Sequence, residues 1–93
     1  MIQSFADSET ELIWRRRSRK LAPDIQNVAP RKLRLLNQAR VLGELRVPPG
    51  NRLEALKADR QGQHSIRIND QWRICFVREE GGPTHVEIVD YHI

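Results

Sequence analysis

The sequence has little of what marks secreted, fibrous or membrane proteins. It holds one cysteine, Cys75, so no disulfide can form within the chain, which fits a reducing compartment. The opening "MIQSFADSET" has neither the basic stretch nor the apolar stretch of a secretory signal. No apolar run approaches the roughly 20 residues that a membrane helix needs. Glycine and proline number five each in 93 residues, which excludes collagen-like and Pro/Gly-rich disordered chains. There is no repeat, low-complexity segment or linker. The expectation is a cytoplasmic chain forming one globular domain over residues 1–93. A domain this short buries a modest fraction of its surface.

Charge is what the chain does have. Sixteen Lys and Arg oppose 12 Asp and Glu, a net charge of +4. Residues 1–47 carry ten basic and five acidic side chains, and residues 48–93 carry six and seven. Thirteen of the basic residues are arginine, whose planar donor fork suits phosphate and carboxylate. Such a domain favours a polyanion such as nucleic acid, or an acidic protein partner.

Along the chain, "MIQSF" alternates as a short first strand. "DSETEL" starts a helix, with Ser8 and Glu11 at capping-box spacing. Arg15, Arg16, Arg17, Arg19 and Lys20 follow in its last turn and complement the helix dipole. In "APDIQNVAPRKLRLLNQARVLGEL", Ile25, Val28, Ala29, Leu33, Leu36 and Ala39 keep helical spacing. Either this helix begins at Pro30 or it continues through it with a kink. The stripe stays in phase across Pro30, so one kinked helix is expected, with Gly43 as its stop.

"VPPGN" (47–51) breaks the chain, and the period then changes to two. "RLEALK", "HSIRIN", "QWRICFVRE" and "THVEIVDYHI" read as strands, joined by turns at Asn69–Asp70 and at "EEGGP". The expected fold is α+β: a short N-terminal strand, two helices, then an antiparallel meander of about four strands. Ile66, Ile68, Trp72, Ile74, Phe76, Val86 and Ile88 should face the helices. The other parity, with Arg67, Arg73, Glu87, Val89 and Tyr91, should form an exposed or functional face.

No His or Cys spacing suggests a metal site, no glycine-rich phosphate loop is present, and no cofactor is expected. Cys75 reads as a small buried residue inside a strand. The remaining chemistry is Lys57, Arg73, Asp90, Tyr91 and His92, spread over the predicted strands. Metal-free RNA cleavage needs a base for the 2′-OH, cations for the phosphoryl oxygens and an acid for the 5′ oxygen. His92 can serve as acid or base, Lys57 and Arg73 can supply charge, Tyr91 can stack on a base, and Asp90 can orient His92. Taken one at a time, these residues read more readily as a solvated surface, an edge aromatic and a chain end than as a catalytic set.

"NRLEALKADRQGQHSIRINDQWRICF" followed by "VEIVDYHI" resembles the HigB group of the RelE-like toxins of bacterial type II toxin–antitoxin systems. The "LK" followed by "DR" and Gly62, the "SIRIND" strand, the "WRI-F" strand and the final "DYH" carry the likeness. It implies a ribosome-dependent mRNA endonuclease that works by 2′-OH attack without metal, with Lys57, Asp90, Tyr91 and His92 at positions the family uses for catalysis. Arg73 matches an arginine of the family's "WR" strand. The implied partners are a helix-turn-helix antitoxin, operator DNA through that antitoxin, and the ribosome with its mRNA. Arg15, Arg16, Arg17, Arg19 and Lys20 would contact ribosomal RNA. Glu54 stands where some relatives have histidine, Ala58 where glycine is frequent, and Pro30 inside an expected helix. The alternative is a noncatalytic RNA-binding or antitoxin-binding module of the same fold.

Overall fold

The computed structural model describes residues 1–15 and 23–90. Helix α1 spans Ser8–Trp14 and α2 spans Val28–Gln38. Strands β1 (Glu54–Ala55), β2 (His64–Arg67), β3 (Trp72–Glu79) and β4 (Gly82–Asp90) form one antiparallel sheet in the order β1-β2-β3-β4. The α+β meander expected from the change of period is therefore present.

Helix α1 starts one residue earlier than its capping-box spacing suggested. Asp7, in extended conformation, is the cap, and its carboxylate accepts from the Thr10 N–H at 2.7 Å. A carboxylate there bonds an unpaired amide and also meets the positive end of the helix dipole. Ser8 becomes the first helical residue, and Glu11 pairs forward with Arg15 at 3.0 Å. The helix ends at Trp14 with Arg15 as its C-cap.

The long kinked helix is not formed. Pro23–Ile25 make a 3₁₀ turn, α2 begins at Val28, and Leu42–Arg46 make a second 3₁₀ turn. Pro30 is the third residue of α2, where an amide would have no partner within the helix, so it opens the helix without bending it. Ala39 turns extended (ψ 128°) and ends α2 four residues before Gly43. The apolar stripe stayed in phase because Ile25 and Leu45, from the flanking turns, enter the same core as Ala29, Leu33 and Leu36. Each aliphatic side chain withdrawn from water there contributes about 1.5–3 kcal/mol.

The sheet face under the helices is the one expected. Ile66, Ile68, Ile74, Phe76 and Val86 are buried in the core, and Trp72 and Ile88 pack against it. The N-terminal segment makes only a single parallel bridge, Phe5 to Val86. It nevertheless covers the edge of β4: Val86 N–H donates to the Ser4 carbonyl (3.1 Å), His85 N–H to Ser4 Oγ (2.9 Å) and Ile88 N–H to Thr10 Oγ1 (3.0 Å). An edge strand that would otherwise expose a row of donors is thereby closed and tied to α1.

"RLEALK" is curtailed to two strand residues. Arg52 (φ 45°) and Ala58 (φ 55°) take left-handed conformations on either side, and a strand cannot continue through them. The "VPPGN" segment is a turn, as expected. Its Asn51 is fully buried and donates to the carbonyls of Leu45 (3.1 Å) and Val47 (3.2 Å), while its Oδ1 accepts from the Lys32 ammonium. This side chain fastens the 42–51 segment to α2.

Candidate active site

The sheet face away from the helices is only partly open. Across it runs the row Glu54–Ser65–Cys75–Glu87, with Arg67–Arg73–Val89 beside it. Parity places all of these residues on one face, but three of them are covered. Ser65 and Cys75 are fully buried and Arg73 is 9% exposed. Leu56 is buried as well, and Arg60 reaches Glu87 with a 2.7 Å ion pair. Burial raises the Cys75 thiol above its usual range, and the Glu87 carboxylate adds to this against the opposing pull of Arg60 and Arg73. The thiol is therefore protonated and inert, in keeping with a small buried residue.

Arg73 differs from the solvent-facing cation that alternation suggested. Its Nε donates to Ser65 Oγ at 2.7 Å and its Nη2 to the Arg52 carbonyl at 2.6 Å. Glu54 Oε1 lies 3.8 Å from Nη2, a weaker contact in a half-exposed setting. A nearly buried guanidinium must satisfy its donors within the protein, and this one does so by bracing β3 against β2 and the entry to β1.

Asp90 closes β4 opposite Trp72. Its carboxylate is exposed and accepts from Gln71 Nε2 at 3.1 Å. The turn that presents Gln71 is built by Asn69, whose Oδ1 accepts from the Gln71 amide (2.9 Å) and the Trp72 amide (2.8 Å). This is the side-chain turn chemistry expected of Asn69. Asp70 forms an ion pair with Arg67, which stands beside Arg73 in the sheet. Gln71, Ser65 and the Arg52 carbonyl were not singled out by sequence reasoning. Ser65 shares the parity of Arg73, and Gln71 abuts the Asn69–Asp70 turn. Those are the signals that could have found them.

Lys57 is exposed and lies beyond the end of β1, where it caps the 3₁₀ turn Ala58–Arg60. Sheet register does not set it beside Asp90. Asp90 stands opposite Trp72, whereas Ala55 of β1 aligns through His64 with Phe76. At ~3.3 Å per residue, those two rows are separated by roughly 13 Å along β3. Arg73 is the link between the two regions: its backbone adjoins Trp72 and its guanidinium holds Arg52. Tyr91 and His92 lie outside the described residues, as do Arg16, Arg17, Arg19 and Lys20. Arg15 is exposed and pairs with Glu11. Among the described residues, no helix is long and apolar enough to cross a membrane.

Comparison with known proteins agrees with this architecture. The family described as the RelE-like toxin of the type II toxin–antitoxin system HigB matches residues 3–92. The chain is 37% identical over 83 residues to Toxin HigB-1 of Vibrio cholerae, covering 87% of each protein. It is also 33% identical over 60 residues to an uncharacterized protein of Haemophilus influenzae, covering 64% of this chain and 59% of that one. The helix pair, the four-stranded antiparallel sheet and a match running from Gln3 to His92 converge, and the chain belongs to the HigB-like toxins, RelE-like toxins of type II toxin–antitoxin systems.

Proposed function

We propose that this toxin is an endoribonuclease that cuts mRNA on the ribosome by side-chain acid–base catalysis at the Asp90 end of the sheet. Family membership suggests an endoribonuclease in general and implies a cognate antitoxin as partner. The observation that carries the finer reading is the fixed carboxylate of Asp90. It is exposed, held by Gln71 and directly precedes Tyr91 and His92 in the chain. A carboxylate and an imidazole are both suited to proton transfer near neutral pH.

In this scheme a base among Asp90 and His92 takes the proton of the ribose 2′-OH. The 2′ oxygen attacks phosphorus and the bond from phosphorus to the 5′ oxygen breaks. A protonated group of the same set then gives its proton to that oxygen. The products are a 2′,3′-cyclic phosphate and a 5′-hydroxyl. Lys57, outside the Asp90 row, supplies positive charge to an RNA phosphate from an exposed position, and Arg73, whose donors are held by Ser65 and the Arg52 carbonyl, adds a fixed positive field from within the sheet. Charge fixed in advance of the reaction is worth more than charge that must reorganise. Tyr91 offers a stacking platform for a base, worth ~1–3 kcal/mol. The arginine-rich 15–20 segment anchors the toxin to ribosomal RNA.

Purified toxin, ribosomes and a defined mRNA test the proposal. Cleavage only when ribosomes are present, with cyclic-phosphate and 5′-hydroxyl ends, is the expected result. Binding to ribosomes without cleavage would favour the noncatalytic module.

A further inference from the structure

The solvent side of α2 carries a trough that the catalytic scheme does not use. Its first hollow, about 360 Å³, lies between Arg31, Lys32, Arg34, Leu35, Gln38 and Pro48. A second, about 100 Å³, continues from Leu35 and Gln38 to Ala39, Leu45 and Val47, with Glu44 at its rim. The two share Leu35 and Gln38, so they form one groove with a basic end and an aliphatic end. Its far wall, the 42–51 segment, is fastened in place by the buried Asn51. Val47 is 70% exposed there and Val41 is 59% exposed.

Among the described residues, no ion pair engages Arg31, Lys32 or Arg34 at the basic end. Helix α2 contains Arg31, Lys32 and Arg34 and no acidic residue. Partial burial, and then the cations Arg31 and Arg67, hold the Lys32 amine below the usual lysine range. Like charges gathered beside exposed aliphatics lower the stability of the free protein, and an occupant bearing the opposite charge relieves that cost.

We propose that this trough docks an acidic amphipathic segment of the cognate antitoxin, with carboxylates on Arg31, Lys32 and Arg34 and an aliphatic side chain entering against Leu35, Val47 and Pro48. The proposal rests on the type II toxin–antitoxin reading. Two features favour a protein over a nucleic acid. Among the described residues, no aromatic side chain lines either hollow, and unpaired bases are held chiefly by stacking on aromatics. Exposed aliphatics and Glu44 at the other end suit a peptide better than a chain of phosphates. A second copy of this chain, itself at +4, would meet repulsion. Aliphatic anchors beside charge-complementary rims are a recurring mode of peptide capture.

The test measures binding of the intact toxin to the antitoxin encoded with it, at two salt concentrations. Arg31→Glu with Arg34→Glu, and separately Val47→Asp, should each weaken the complex about tenfold or more, while Glu80→Arg, at a residue that lines neither hollow, should not. All of these positions are exposed, and thermal unfolding should confirm intact folding. Amide exchange on the wild-type toxin, with and without antitoxin, should show protection over residues 31–38 and 41–48. Unchanged antitoxin affinity in both groove variants, or no protection of those segments, would overturn the proposal. Loss of ribosome binding with antitoxin affinity intact would reassign the trough to RNA. A wild-type toxin that binds no antitoxin would overturn the antitoxin pairing, and the groove proposal with it.

Discussion

The Nη2 atom of Arg73 donates to the main-chain carbonyl of Arg52 across 2.6 Å, while its Nε holds Ser65 Oγ at 2.7 Å. One arginine thus joins β3, β2 and the approach to β1, and it does so one residue from the strand pair that ends in Asp90. This relationship separates two cations that look alike in the sequence. Arg73→Ala removes a nearly buried brace and leaves a hydroxyl and a carbonyl unpaired, which should cost on the order of 1–3 kcal/mol in denaturant unfolding. Ser65→Ala should cost less, about 1 kcal/mol. Lys57→Ala, at an exposed position, should leave the unfolding midpoint unchanged and slow mRNA cleavage more than it weakens ribosome binding. Equal losses of cleavage and binding in Lys57→Ala would recast Lys57 as an ordinary binding charge.

Gln71 offers a sharper test of the Asp90 end. Its amide donates to Asp90 Oδ2 from a turn already fixed by Asn69. Gln71→Leu should lower the single-turnover cleavage rate by up to ~10²-fold, the scale of a displaced catalytic group. Ribosome affinity and stability should not change. Gln71→Glu, which sets a like charge beside the carboxylate, should do more harm than Gln71→Leu. Wild-type cleavage by both variants would show that Asp90 works without this contact.

Cys75 should behave as a reporter of unfolding. Burial raises its thiol pKa in the folded state, so the folded protein keeps a proton that the unfolded chain releases. Above the pKa of the unfolded thiol, the unfolded state therefore binds fewer protons, and stability falls with rising pH. Cys75→Ala should lose this alkaline component, visible as wild type and variant converging in stability from pH 8 to about 10. A thiol reagent at neutral pH should label the wild-type protein no faster than it opens. Rapid labelling of folded protein would contradict the buried setting.

The proposed ribosomal anchor can be checked by charge removal. Arg15→Ala, Arg16→Ala and Arg17→Ala made together should weaken ribosome binding at low salt. The slope of log affinity against log salt should flatten by about three phosphate contacts' worth. The exposed Arg15–Glu11 pair contributes little to stability, so unfolding should be nearly unaffected. An unchanged low-salt affinity would move the contact surface elsewhere.

Much of the architecture was legible. Alternation at Ile66, Ile68, Ile74 and Phe76 identifies one face of a sheet, and that is the face the helices cover. Local spacing was a poorer guide where side chains compete or the chain turns. Asp7 displaced Ser8 as the cap because a carboxylate one position earlier makes the stronger bond. A continuous apolar stripe hid two breaks around α2, since residues in flanking turns can reach the same core. Parity placed Arg73 on the correct face and could not show that the 52–63 segment closes over it. That segment turns at Arg52 and Ala58, whose left-handed conformations have no glycine to announce them. Gln71 became visible only through the register that sets Trp72 against Asp90.

The most direct test of the central claim compares wild type, His92→Gln and a chain lacking residues 91–93 in a reconstituted translation system, with mRNA cut sites mapped by primer extension. Val86 and Ile88, which tie β4 to the core, remain in both altered chains, and chain ends contribute little stability unless docked. Both should therefore unfold near the wild-type temperature and still bind ribosomes. Wild type should cut ribosome-bound mRNA, His92→Gln should cut ~10²–10⁴ times more slowly, and the truncated chain should not cut. Cleavage at the wild-type rate by either folded variant would contradict the account and place the catalytic groups elsewhere.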